Sequence, residues 1–438
     1  MMKNQGIYEK IDTVYFAYQE VDITPKKPVQ TIGFGRQDEQ SRGVLQGLLA
    51  QVSLWQYEEE SCCLVAIDHI GFSKQHGDAL RCAIGTLLGV GMEKVMLCFS
   101  HTHSAPNDTA EKEYADFVDE QIKKAVISAR KKLAPIKGAW GNAYGEIGLN
   151  RRVGNQALDR RIGIFKVVDA ESGVLKLLLL RLTAHANVLK GDNYLISPDY
   201  FGTVRDVLQQ KFVCPVMVTQ GASGNVAPKY FCSALTPPDA CDSRFIRSER
   251  ALNDMAEEVM RQVEKTMAST RPVALRSLKM YSAWIDLYAD IPWYERAVEI
   301  AEEAKKYAGI DGALWLAEVR RLQREGIKTQ RDTTEIQYFS TGNGCFCGVA
   351  NEIMCEFALR SQAMIQNDHF YFGGYTNGCT GYFPTEEEYD KGGYEVYWSM
   401  LIFYIYHGRV FPLNRDSCAL LIQAVVEYAP SFEEIFEE

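Results

Sequence analysis

No stretch of the 438-residue chain approaches the roughly 18–20 consecutive apolar residues that a helix needs to cross a bilayer. The longest candidate, "MLIFYIY" at 400–406, is far too short, so no integral membrane segment is expected. The opening "MMKNQGIYEKIDTVYFAYQE" lacks a continuous apolar core and a small-residue cleavage pattern. A secretory leader is therefore not expected, and the cytoplasm is the expected compartment. Positive charge is in short supply: 47 Lys and Arg stand against 57 Asp and Glu, for a net charge of −10. Nucleic acids and anionic membranes select basic patches, so neither is an expected partner. Twelve cysteines are present, but no two are spaced as CxxC, and the adjacent Cys62 and Cys63 or the nearby Cys345 and Cys347 form no regular framework. Reduced thiols acting as small core residues are expected, not a disulfide scaffold or a cysteine zinc site. Repeats, low-complexity tracts and flexible linkers are absent as well.

What remains is ordinary globular material, 47% hydrophobic and 24% charged, enough to build a large core. Val-, Ile- and Leu-rich segments at 61–70, 93–100, 136–147, 161–169, 173–186 and 214–220 read as strands. Amphipathic segments at 73–89, 110–133, 198–212 and 245–268 read as helices. The alternation predicts an α/β fold with mixed β-sheets packed between helices, and the length allows two to three average domains or one large one. Residues 292–327, opened by Pro292 and broken by "GIDG", predict a helical hairpin inserted beside a site or at a homo-oligomer contact.

Histidine is scarce, with seven in the chain, yet two stand side by side in "VMLCFSHTHSAPND" at the end of a predicted strand. In an extended segment His101 and His103 project to the same side, about 6–7 Å apart, where α/β enzymes tend to bind ligands. Such a pair suits one metal ligand and one poised neighbour. His185 ends another apolar strand in "RLTAHANVLKGDNYLISPDYFG", before a helix that Ser197 and Pro198 would open. "TQGASGNVAP" supplies glycines that let the backbone approach a ligand. "GVANEIMCEFALRSQ" puts Glu352 near a helix start with Glu356 one turn on. "GYTNGCTGYFPTEEEYDKGGYE" carries Tyr382, Tyr389 and Tyr394 in a glycine-rich loop. Each feature alone also fits a packed structural residue.

Taken in order, these stretches resemble the N-terminal catalytic domain of the neutral, non-lysosomal ceramidases. The family motifs "THTHSGPGG", "NxLISxDxxGY", "GDVSP", "PGE" and "YxxYVTTxEEYxxQxYEG" correspond to "SHTHSAPND", "NYLISPDYFG", "GNVAP", "ANE" and "CTGYFPTEEEYDKGGYE". "DITPKKPVQTIGFGRQDEQSRGVLQGLLAQ" and "LNRRVGN" are similar to further elements, so the likeness runs over residues 22–395. The resemblance implies a single large catalytic domain over residues 1–438 and a zinc ion held by His101, His185, Glu352 and Tyr382. It implies His103, Arg151 and Tyr394 as catalytic groups around the reacting carbonyl of a small-molecule substrate. Zinc accepts imidazole nitrogen and carboxylate oxygen and leaves a position for water, which it acidifies. The expected activity is zinc-dependent hydrolysis of an amide or ester. A true ceramidase and a non-catalytic binding protein on the same scaffold are the alternatives. Departures from the pattern include Asn107 and Asp108 for two glycines, Asn225 for an aspartate, and no expected C-terminal immunoglobulin-like domain. Asp108, set beside the metal histidines, is expected to favour small, water-soluble amides or esters over long-chain ceramide.

Overall fold

A computed structural model describes residues 12–36, 38–232 and 244–432, so most of the opening stretch read for a leader lies outside the described residues. Two sheets stack face to face, with helices on both outer surfaces. The larger sheet is built from β1 (Tyr15–Asp22), β2 (Leu49–Tyr57), β3 (Glu60–Ile67), β4 (Val95–Phe99) and β5 (Ala134–Tyr144), with β7 (Arg161–Asp169), β8 (Leu175–Leu182) and β9 (Val216–Gln220). Its order is β4-β3-β2-β1-β5-β7-β8-β9, with β11 (Val273–Ala274) pairing β5. Pairing is antiparallel through the middle and parallel at both ends, between β3 and β4 and between β8 and β9. Two short strands, β6 (Gly148–Asn150) and β10 (Val226–Pro228), pair separately.

The smaller sheet runs β12-β13-β14-β16. Its strands are β12 (Leu278–Asp290), β13 (Thr329–Thr341), β14 (Gly344–Gly348) and β16 (Phe370–Gly373). Trp55, Phe165 and Leu179 from one sheet meet Phe339, Phe346 and Tyr371 from the other in a common core. That arrangement explains why β7 ("RIGIFKVVD") and β8 ("LKLLLLRL") are apolar on both faces. Their opposite faces carry α3 (Tyr200–Phe212) and α4 (Glu249–Ser269). α1 (Lys74–Leu88) and α2 (Lys112–Arg130) cover β2 and β3. On the far side, α7 (Cys355–Ile365) and α9 (Ser417–Glu427) cover the small sheet. The result is the expected α/β class, in four layers from helix to helix.

The 292–327 segment is indeed a helical hairpin, α5 (Tyr294–Ala308) and α6 (Ala313–Arg324). It joins β12 to β13, whose last pair is Asp290 with Thr329, so it interrupts a long antiparallel ribbon at its tip. Trp315, Val319 and Ala301 pack on Leu401 and Val410, around α8 (Met400–His407).

Three local expectations need correction. The N-cap of α3 is Asp199, not Ser197: it has a positive φ of 55° and its carboxylate accepts from Tyr200 N. Its second carboxylate oxygen also satisfies the Leu189 amide. Glu352 does not open a helix but forms a two-residue parallel bridge, β15 (Glu352–Ile353) with β17 (Tyr382–Phe383), and α7 starts after it. Finally, Cys232 is disulfide-bonded, against the reduced-thiol expectation, while ten other described cysteines are free.

Candidate metal centre and active site

The parallel end pairs of the large sheet bring the carboxyl ends of β4, β8 and β9 to one place. Gln220, ending β9, donates Nε2 to Ser100 O at 3.2 Å and to Ala184 O at 2.8 Å, which ties the three strand ends together. His101 follows β4 by two residues and His185 follows β8 by three. The pair at 101 and 103 is not extended as the spacing suggested. His101 has φ +60°, a left-handed conformation that costs a non-glycine residue roughly 1–2 kcal/mol. The turn brings the two ring centroids to 5.0 Å, closer than strand alternation allows. Strain of this kind persists where the surroundings over-determine it, and it clusters at functional sites.

All three imidazoles are held the same way. Nδ1 of His101 lies 2.5 Å from Ile70 O, that of His103 2.8 Å from Gly33 O, and that of His185 2.9 Å from Ser223 O. A carbonyl accepts only, so each Nδ1 carries a proton and each ring turns its Nε2 inward. The ligand atoms of His101, His103 and His185 lie within 4.8 Å of one another. The Glu352 carboxylate completes the cluster, with Oε2 3.2 Å from His101 Nε2 and 3.5 Å from His185 Nε2. Nε2 of His103 and of His185 are buried without a hydrogen-bond partner. Burial first, and then the neighbouring positive groups, push both imidazoles well below their ordinary pKa, so they are neutral bases. Inward-facing ring nitrogens on backbone-anchored imidazoles, beside a buried carboxylate, are a donor set that fits a divalent metal.

The β15–β17 bridge pairs Glu352 directly with Tyr382, so backbone hydrogen bonding sets a carboxylate and a phenol side by side. Burial and then the Glu352 charge hold the Tyr382 phenol well above its usual pKa. Arg151 follows β6 and donates Nη2 to Tyr382 Oη at 3.0 Å. Tyr394 stacks edge-on to Tyr382, with centroids 5.8 Å apart. His101, His103, His185, Glu352, Tyr382, Arg151 and Tyr394 therefore converge here, whereas Tyr389 does not, its hydroxyl donating to Leu413 O instead. Glu356 also stands aside, accepting from Asn155 and Asn225.

Sequence reading missed Tyr375. Its ring packs 4.2 Å from that of His101, its hydroxyl donates to Glu352 Oε2 at 3.4 Å and it accepts from Ser223 Oγ at 3.1 Å. It stands in the same "GGYTNG" loop, but only the bridge between Cys98 and Thr376 carries it to the end of β4.

A cavity of about 330 Å³ opens on the cluster, with His101, His103, Glu352, Tyr382 and Tyr394 in its wall. Phe34, Ile402, Phe403 and Tyr406 give it an apolar rim. Asp108 also lines it, but not as the unpartnered carboxylate the sequence suggested. His76 Nδ1 sits 2.9 Å from Asp108 Oδ2, while His76 Nε2 reaches Asp119 at 3.0 Å.

The fold is that of the neutral ceramidases. Among solved structures, one described as a ceramidase complexed with C2 matches with a TM-score of 0.71 at 16% identity, covering 94% of this chain and 74% of that one. The neutral ceramidase from Pseudomonas aeruginosa matches with a TM-score of 0.69 at 16% identity, covering 98% of this chain and 77% of that one. No protein-family model and no curated protein matches the sequence.

Proposed function

We propose that the chain is a zinc-dependent hydrolase of amide or ester bonds, with His101, His185, Glu352 and Tyr382 as ligands. The observation that carries it is the buried, unpartnered His185 Nε2, held 3.5 Å from the Glu352 carboxylate that also meets His101. When bound, zinc supplies Lewis acidity and acidifies water. The protein does the rest. His103 Nε2, free of a partner and facing the cavity, accepts a proton and returns it to the leaving amine. Its Nδ1 bond to Gly33 O keeps the ring in the orientation that this transfer needs. Arg151 and the Tyr394 hydroxyl donate to negative charge that develops on the carbonyl oxygen. The same reading takes the chain as one catalytic domain with α5 and α6 as an insertion beside the site.

A cavity of about 330 Å³ lies at the small end of the range for small-molecule sites, which suits a compact substrate. The substrate proposed is therefore a small, water-soluble amide or ester. The apolar rim and the ceramidase fold favour a second reading, hydrolysis of N-acyl sphingoid lipid. Turnover of short N-acyl amines, amino-acid amides and esters, set against detergent-solubilised long-chain ceramide, tests both. We expect higher kcat/KM for a short substrate. Preference for ceramide would establish the second reading, and no turnover in any class by zinc-loaded protein would leave a binding protein.

A further inference from the structure

We infer that Glu395 is a positioning residue for Arg151 and, through it, for the phenol of Tyr382. The catalytic weight given to Arg151 rests on the hydrolase reading above; the contact itself does not.

Residues Tyr394–Trp398 form a single π-helical turn, a feature frequent at functional sites, entered through Gly392 and Gly393 with φ of 59° and 84°. Those left-handed glycines reverse the chain so that Glu395 points inward, where it is 8% exposed. Its two oxygens are divided between two arginines. Oε1 accepts Arg151 Nε at 2.8 Å and Oε2 accepts Arg152 Nη1 at 2.7 Å. Arg152 also gives Nε to Glu388 Oε2 at 2.6 Å and Nη2 to Gly392 O at 2.8 Å, fastening the loop that carries Tyr394. Asn155 Nδ2 then spans Glu388 at 3.2 Å and Glu356 at 2.6 Å, and Glu356 accepts Asn225 Nδ2 at 2.8 Å. A continuous polar chain therefore runs from the start of α7 to the site, where Arg151 Nη2 reaches Gly224 O at 2.6 Å and Tyr382 Oη at 3.0 Å.

A guanidinium carries five donors in one rigid plane. With Nε on Glu395 and Nη2 on Gly224 and Tyr382, that plane is fixed, and Nη1 has no partner among the described residues. Glu395 is thus the anchor that aims the remaining donor, and its charge compensates two part-buried cations.

Glu395→Gln keeps the shape and removes the charge. The amide also turns a donor toward one arginine. We expect kcat to fall about tenfold to hundredfold with KM little changed, as for other outer partners of site residues. Zinc content should stay at the wild-type level. In ¹⁵N spectra the Arg151 Nε–H resonance, assigned by its loss in Arg151→Lys, should shift on Glu395→Gln. Glu395→Asp should recover part of both signals. Wild-type kcat together with an unmoved Nε–H resonance in Glu395→Gln would overturn the inference. If that variant does not fold, Arg152→Gln decides. It leaves the Glu395–Arg151 contact in place, so the Arg151 Nε–H resonance should persist whatever the loss of the Tyr394 loop anchor does to kcat, and its loss would mean that the network as a whole, not this contact, holds Arg151. Full turnover by Arg151→Lys would count against the catalytic role given to Arg151, and no turnover by the wild type against the hydrolase reading, while the wild-type resonance would still report the contact.

Discussion

His101, His103 and His185 look alike in tautomer and anchoring, and their surroundings distinguish them. Only His101 and His185 have Nε2 in contact with the Glu352 carboxylate, at 3.2 and 3.5 Å. We therefore expect His101→Ala and His185→Ala to lose bound zinc. His103→Ala should keep zinc and lose about 10²–10⁴ in kcat, the range for a general acid–base group. Zinc content measured beside kcat checks this, and release of zinc by His103→Ala would make the three histidines the ligand set. Asn225, where the ceramidase pattern has aspartate, offers a second test. Its Oδ1 accepts Cys355 N at 2.9 Å and its Nδ2 donates to Glu356 at 2.8 Å. Asn225→Asp would set a buried carboxylate against the part-buried one of Glu356. We expect a loss of about 1–3 kcal/mol at neutral pH, relieved on acidification and rescued by Glu356→Gln. Urea unfolding of the cycle measures it, and additive effects would contradict the coupling. At this scale the scarce histidines were legible because they stood at the end of an apolar strand. Tyr375 was not, since tyrosine in a glycine-rich loop gives no local sign of which strand end the loop will meet.

Among the elements, α1, α2 and the loop after His103 are joined by His76, which lies between Asp108 and Asp119 and stacks on Phe72 at 4.0 Å. Burial works against its charge, but the two carboxylates prevail and hold its pKa up at about 9 from 6.5. A histidine raised on folding stabilises fully below its unfolded pKa, and that stabilisation fades as pH rises through the folded value. We expect a contribution of order 3 kcal/mol near pH 6, lost around pH 9. His69 and Asp119 face the same group, so the readout is the difference between wild type and His76→Gln. Thermal unfolding of both from pH 6 to 10 should show the gap closing as pH rises, and a constant gap would contradict the ion pair. The elements that sequence periodicity revealed were those buried on one or both faces. It did not reveal β12 and β13, whose outer halves alternate with charged residues such as Asp286, Arg331 and Asp332 and pair only with each other. Register across a 38-residue excursion, from Asp290 to Thr329, leaves no local mark.

At the scale of the molecule, the order of strand and helix was enough for the α/β class, because strands buried on both faces read as continuous apolar runs. The four-layer stacking was not legible, since it depends on which of two apolar faces meets the second sheet. That stacking places the carboxyl ends of β4, β8 and β9 beside the β15–β17 bridge, and so gathers donors from four distant stretches at one cavity. Among the described residues no helix is long and apolar enough to cross a membrane. We read this convergence as built to hold a metal, and elemental analysis of protein purified without added metal puts that to the test. We expect about one zinc per chain, removable by chelator with loss of hydrolysis and restored by one equivalent. Protein that holds no zinc and takes up none when it is offered would contradict it.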